Sequence, residues 1–179
     1  PTAVSRIGCV DGSIWQYNHE WLRDQSVVAL ALTMLGATGP AKTMLTRLLD
    51  KFVTPEGDTL DSSVKRNPAE VELDQNGYLL CTLKDYALWT GDLDLIRAKW
   101  AKVTAVAEFP LQPIFRHQES GLLQNCREFW ERHAIHGIQP GMELSYQLWV
   151  SEGLAAAAVL ARLTGHSQQA VRWDAESAR

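Results

Sequence analysis

Trp21-Leu22-Arg23-Asp24, followed at once by the apolar residues 27–35, is the stretch from which the fold of this chain can be worked out. It places an aromatic ring, a guanidinium and a carboxylate at the start of a segment with the composition of a buried helix. A flat apolar ring beside fixed hydrogen-bonding ions suits a ligand that is apolar on one face and hydroxylated at its edge. Sugars have this character, so the stretch predicts a saccharide-binding rim at the start of a helix.

Helical segments recur along the chain, and the width of their apolar faces alternates. The first becomes apolar on nearly every face, the third has a broad apolar face, and the fifth is apolar all round, whereas the second and fourth are apolar on one side. Because a helix that is apolar all round must be enclosed, we expect the odd-numbered helices inside and the even-numbered helices outside. The six predicted segments are residues 20–35, 40–52, 76–89, 93–108, 143–163 and a last one that begins near Ser167.

A Thr-Gly pair follows each odd-numbered helix, which indicates three helical hairpins, because glycine adopts the left-handed conformation that ends a helix. These pairs are Thr38-Gly39, Thr90-Gly91 and Thr164-Gly165. Long polar loops (54–74 and 115–142) precede the third and fifth helices, and long loops in compact domains are usually functional or disordered. We therefore expect the loop residues and the starts of the odd-numbered helices to converge on one rim. The one sign of extended structure lies around residues 71–73.

The composition excludes several classes of partner. The chain has 179 residues, enough for one core, and a net charge of −4, which gives no electrostatic case for nucleic acid or an anionic membrane. Its three cysteines are far apart and form no metal or disulfide pattern, and its apolar runs are too short to span a bilayer. No cofactor or metal is expected, since His133 and His136 lack a third ligand at a recognised spacing. We predict a cytoplasmic protein, or a secreted one if a leader precedes Pro1.

Three motifs resemble those of the glucoamylase family, and they occur in the family's order. Trp21-Leu22-Arg23-Asp24 resembles its W-x-R-D signature, Glu72-Leu73-Asp74-Gln75-Asn76-Gly77-Tyr78 its Q-L-D-x-x-G motif, and Phe129-Trp130-Glu131 its W-E motif. The resemblance implies an all-α fold, the (α/α)6 toroid of helical hairpins, of which this chain supplies about three hairpins. Residues 1–179 would then be a partial catalytic domain, with the remainder of the barrel expected from the same polypeptide. Arg132 stands where many members of the family have a second acidic residue.

The resemblance assigns Glu131 as the general acid, and the neighbouring Trp130 could raise its pKa by desolvation. The alternative for Glu131 is an exposed loop charge or a partner of Arg127 or Arg132. Glu143, near the start of the fifth helix, is a local candidate for a second carboxylate, although the helix dipole explains an acidic residue there.

The same resemblance implies substrate-binding roles for the remaining motif residues. Arg23 and Asp24 would hold the hydroxyls of a terminal sugar, or else form a mutual or helix-capping ion pair. Trp21 would be a stacking platform or a core anchor. Asp74 and Gln75 would contribute from the third helix, unless Asp74 is simply that helix's N-terminal cap.

The implied activity is an inverting glycoside hydrolase that releases glucose from α-linked oligosaccharides or polysaccharides. Glu131 would protonate the leaving oxygen, and the catalytic base would lie outside this chain. Two alternatives remain open at the level of the sequence: a disaccharide phosphorylase on the same barrel, and a noncatalytic helical module that binds saccharide or protein.

Overall fold

The chain folds into α-helices, as the sequence predicts. A computed structural model describes residues 20–60, 72–125 and 141–179, and these residues contain no β-strand, only the isolated bridges Val53–Thr59, Arg116–Leu123 and Asn125–Gly141. The helices are α1 (Leu22–Met34), α2 (Thr38–Lys51), α3 (Asp74–Thr90), α4 (Asp94–Ala98), α5 (Trp100–Glu108), α6 (Leu144–Thr164) and α7 (Ser167–Ser177). Two 3-10 helices, Phe109–Leu111 and Pro113–Phe115, follow α5.

The predicted fourth helix is wrong in one respect, because the structure divides it into α4 and α5. The backbone leaves the helical conformation at Lys99 (φ −110°, ψ 17°), and a new helix begins at Trp100. Buried residues on both sides of the break, Ile96 in α4 and Val103 in α5, still lie one heptad apart. The apolar period therefore continues through the break, which is why the sequence pattern could not reveal it.

Helices α1, α3 and α6 form a row, and α2, α5 and α7 pack against it. Helix α3 lies between α1 and α6, α2 packs on α1, α7 packs on α6, and α5 contacts both α3 and α6. The row is parallel, since residues near the start of α3 contact residues near the starts of α1 and α6. Buried side chains from both layers form one core, including Leu45, Leu48, Leu79, Leu83, Leu154 and Leu160.

The first, third and fifth predicted helices correspond to α1, α3 and α6, and the sequence predicts that all three are enclosed on all sides. This prediction agrees best with the structure for α3 and is wrong for α1. Helix α1 buries Leu22 and Ala29 but leaves Val27 and Met34 more than half exposed. The reason is its place in the row, because α1 packs mainly on α2 and α3. At the other end of the row, α6 likewise leaves Leu148 exposed.

Two of the three predicted left-handed turn glycines are confirmed. Gly91 and Gly165 end α3 and α6 with φ of 70° and 87°. After α1 the left-handed residue is Gly36 (φ 78°), and Gly39 instead lies inside α2. The Thr-Gly pair thus begins the second helix of the first hairpin and does not end its first helix.

Helices α3 and α6 cross at two glycines. A Cβ atom added to Gly77 would lie 1.8 Å from the carbonyl oxygen of Trp149, and one added to Gly153 would lie 2.5 Å from the Cα of Gly77. Since the obstacle in both cases is backbone, no side-chain rotation could relieve it. The close approach of the two helices therefore requires glycine at both positions.

Alanine at Gly77 is expected to lower the free energy of unfolding by about 3 kcal/mol, because the methyl group must push two helices apart. Urea denaturation followed by circular dichroism measures the change. Gly39→Ala is the matched control: Gly39 is helical, and an added Cβ meets nothing within 4 Å. We expect this control to be neutral or to stabilise by up to about 1 kcal/mol. Equal effects of the two substitutions would contradict the glycine crossing.

Asn76, in the first turn of α3, joins three segments of the chain. Its buried amide nitrogen donates to the carbonyl oxygens of Gly57 (2.9 Å) and Val106 (2.8 Å), and its amide oxygen accepts from the hydroxyl of Thr59 (3.2 Å). The loop before α3 and the helix α5 are therefore both fixed to the start of α3. This start carries the residues of the candidate site.

Candidate functional site

Arg23, in the first turn of α1, binds two carboxylates at the start of α3. Its Nε donates to Oδ2 of Asp74 at 2.9 Å and its Nη2 to Oδ1 of Asp74 at 3.0 Å, which is the bidentate geometry of a strong arginine–carboxylate pair. The same Nη2 lies 2.5 Å from Oε2 of Glu72. One guanidinium thus ties the first turn of α1 to the start of α3.

The two carboxylates are almost completely removed from solvent. Glu72 and Asp74 are 2% and 1% exposed, and Gln75 beside them is fully buried and donates from Nε2 to Oε2 of Glu72. The start of α3 is a favourable place for both carboxylates, because backbone N–H groups and the helix dipole favour anions there.

Tyr146, in the first turn of α6, faces the same charges. The residue is fully buried, and among the described residues its hydroxyl has no hydrogen-bond partner. Burial, and next the charges of Asp74, Glu72 and Glu143, raise the pKa of Tyr146, so the phenol stays protonated. Glu143 is the N-terminal cap residue of α6. The starts of α1 and α3 thus bring one guanidinium and two carboxylates together, and the start of α6 places Tyr146 within reach of their charges.

An aromatic pair lies one turn further along α3 and α6. The rings of Tyr78 and Trp149 stack with centroids 3.7 Å apart and an angle of 25° between their planes. Both residues are partly exposed, and the glycine crossing of α3 and α6 sets the distance between the two backbones. Tyr78 follows Asp74 by about one helical turn, so this pair lies beside the ionic cluster of Arg23, Glu72 and Asp74. Burial and then the charge of Asp74 raise the pKa of Tyr78.

The structure brings together three of the residues predicted for the site, Arg23, Asp74 and Gln75. Asp74 does not cap α3 through its side chain, which Arg23 binds instead, so the capping alternative is wrong. Arg23 and Asp24 do not form the mutual ion pair that was the alternative for them, since the ion pairs of Arg23 go to Glu72 and Asp74 while Asp24 is exposed. Trp21 is half-buried immediately before α1.

The residues predicted to carry the chemistry lie outside the described part of the chain. These are Glu131 and the neighbouring Trp130. Also outside it are Arg127 and Arg132, the alternative partners of Glu131, and His133 and His136, for which no metal role is expected. The roles of Glu131 and Trp130 stay predictions that follow from the resemblance of the motifs.

Sequence reasoning missed four residues of the cluster: Glu72, Tyr78, Tyr146 and Trp149. Glu72 and Tyr78 stand inside the quoted second motif but had been given no role. Tyr146 and Trp149 are spaced i, i+3 at the start of the fifth predicted helix, a spacing that places two aromatic residues on one helix face. That spacing was the available signal, although aromatic residues at helical spacing more often belong to a core.

The rim, as we call Arg23, Glu72, Asp74, Tyr78, Glu143, Tyr146 and Trp149, combines fixed ionic hydrogen-bonding groups with aromatic surface. This chemistry suits recognition of a hydroxylated ring. In the part of the chain that the structure describes, no three histidine, cysteine or acidic residues are grouped so as to hold a metal ion. Within the same residues, no helix combines the length and apolar character needed to cross a membrane.

Neither a scan against protein-family models nor a search of curated proteins gives a match to this chain.

Proposed function

We propose that this chain is part of a glycoside hydrolase similar to the glucoamylases. The observation that carries the proposal is the Arg23 guanidinium held by the buried carboxylates of Glu72 and Asp74 where α1 and α3 begin. Ionic groups held this firmly can orient sugar hydroxyls, because their own positions do not change on binding. The stacked rings of Tyr78 and Trp149 lie beside them and provide apolar surface for a sugar ring.

The helix packing supports the finer proposal for the fold, a toroid of six helical hairpins. A parallel inner row of α1, α3 and α6 with α2, α5 and α7 outside corresponds to three consecutive hairpins of such a toroid. The exposed apolar residues on the outer sides of α1 and α6 are where further inner helices would pack. In this proposal the remainder of the barrel comes from the same polypeptide.

The reaction that we propose is hydrolysis with inversion, releasing glucose from α-linked saccharides. Glu131 protonates the leaving oxygen, and a base from the rest of the barrel activates water on the opposite face of the sugar. The rim residues bind and orient the terminal sugar.

The test is to incubate the full-length protein with maltose, trehalose and isomaltose and to follow the products by proton NMR. We expect glucose to appear first as the β-anomer from at least one α-linked substrate, at a rate that does not depend on phosphate. Phosphate-dependent release of a sugar phosphate would instead establish a phosphorylase. Binding of saccharide without any turnover would establish a noncatalytic module.

A further inference from the structure

A cleft of about 680 Å³ lies between the end of α7 and the turn 116–123, which follows the second 3-10 helix. Arg116 lines the cleft from this turn, Arg172 lines it from α7, and Arg179 lines it from just beyond α7. Arg116 is half-buried, and its Nη1 donates to the carbonyl oxygen of Gly121 at 2.9 Å, which holds the guanidinium in place. None of the described residues that line this cleft belongs to the rim.

The cleft is rich in hydrogen-bond donors, and its carboxylate is already bound. Glu176 accepts on Oε1 from Nη1 of Arg179 at 2.8 Å, and its Oε2 lies 3.6 Å from Nη2 of Arg116. Arg172 donates from Nη2 to Glu108 at 2.6 Å. Arg172 and Arg179 therefore each commit one of three guanidinium nitrogens, and their other N–H groups have no acceptor among the described residues.

His117 also lines the cleft, and its contacts fix the position of the proton on the imidazole. The backbone N–H of Ser120 donates to Nδ1 of His117 at 3.3 Å. Since a backbone amide can only donate, Nδ1 carries no proton, and the neutral ring holds its proton on Nε2. The nitrogen Nε2 is therefore a further donor on a residue that lines the cleft.

The remaining lining adds apolar surface, from Leu111, Pro113 and Leu122. A phosphate monoester matches this combination, because its three terminal oxygens carry close to two negative charges and accept from several guanidiniums at once. A carboxylate offers two oxygens in one plane, which a single arginine fork satisfies. The apolar residues suit the carbon group of an ester, which inorganic phosphate lacks.

We propose that the cleft between the turn 116–123 and the end of α7 binds a phosphate monoester. The guanidiniums of Arg116, Arg172 and Arg179 hold the phosphate group, and the apolar side of the cleft receives the carbon group of the ester. This inference does not depend on the proposed function, because the cleft and the rim have no described residue in common.

Phenyl phosphate, inorganic phosphate and benzoate test the proposal, because each control shares either the charged group or the ring with phenyl phosphate. Their binding to the full-length protein is measured by isothermal titration calorimetry at constant ionic strength and at about pH 8, where both phosphates are mainly dianions. We expect phenyl phosphate to bind roughly tenfold more tightly than either control. Absence of saturable binding of phenyl phosphate, or equal or tighter binding of either control, overturns the proposal.

Three variants locate the binding. Arg172→Gln is expected to weaken phenyl phosphate roughly tenfold. Arg162→Gln is the matched control and should leave the affinity unchanged, since Arg162 is also exposed and paired with a carboxylate, that of Asp174, but does not line the cleft.

Glu176→Gln is expected to tighten the binding of phenyl phosphate by roughly threefold, because it removes the carboxylate that competes for Arg116 and Arg179. A damaged fold would not produce this gain. Equal affinities of the Arg172 and Arg162 variants, or weaker binding by the Glu176 variant, would overturn the assignment of the cleft.

Discussion

Replacement of Arg23 by glutamine is expected to lower the free energy of unfolding by about 3–5 kcal/mol. The variant leaves Glu72 and Asp74, both almost completely buried, without the guanidinium that compensates them. Urea denaturation followed by circular dichroism measures the loss.

Arg97→Gln is the matched control, since Arg97 also pairs with an aspartate. The side chains of Arg97 and Asp94 are 57% and 88% exposed, and we expect their loss to cost less than about 0.5 kcal/mol. Adding Asp74→Asn to Arg23→Gln should recover part of the stability, because one buried charge is then removed. If the Arg23 and Arg97 variants lose the same stability, the ionic cluster does not hold α1 to α3.

Replacement of Glu131 by glutamine is expected to lower kcat by roughly 10²–10⁴-fold, the usual contribution of a general acid, with little change in KM. The amide keeps the size of the side chain but cannot protonate the leaving oxygen. A substrate whose leaving group needs no proton, such as α-glucosyl fluoride, should recover most of the lost rate. Initial rates of the full-length protein on maltose and on the fluoride measure both effects.

Glu128→Gln is the control for this prediction, since Glu128 stands three residues earlier in the sequence and resembles no catalytic motif residue. The kcat of this variant should stay within about threefold of that of the parent protein, as expected for a residue that takes no part in the reaction. Near-normal turnover of maltose by the Glu131 variant would refute the assignment of the general acid. An equal loss on maltose and on the fluoride would indicate damage to the fold and would equally remove the case for Glu131 as an acid.

The helical class and the place of the helices could be predicted because burial imposes a period on the sequence. The bounds of the predicted helices 40–52 and 143–163 lie within two residues of the bounds of α2 and α6. The apolar period of a sequence cannot reveal a helix break that preserves the register of the buried residues, as at Lys99. It also cannot show which side of an apolar helix lacks a neighbouring helix, as for the exposed Val27. Both depend on how helices pack against one another, which a single segment does not contain.

The candidate site was predictable where the helix starts were recognised. The prediction that the odd-numbered helices begin at one rim brought Arg23 and Asp74 to the same place, and the structure joins them directly. The partner carboxylate Glu72 was not predicted, because an acidic residue before a helix is explained well enough by the helix dipole. Tyr146 was missed for a related reason: nothing local distinguishes a tyrosine facing buried charges from one in an apolar core.

Asn76 has a consequence for how relatives of this protein can diverge. Before residues 61–71 in the sequence, the amide of Asn76 donates to the carbonyl oxygen of Gly57 and accepts from the hydroxyl of Thr59. After them, Glu72 is held by Arg23 and Gln75. Both ends of that segment are thus attached to the same helix start, so insertions or deletions within it leave the attachment points where they are. Evolution can therefore lengthen or shorten this stretch while the ionic cluster keeps its geometry.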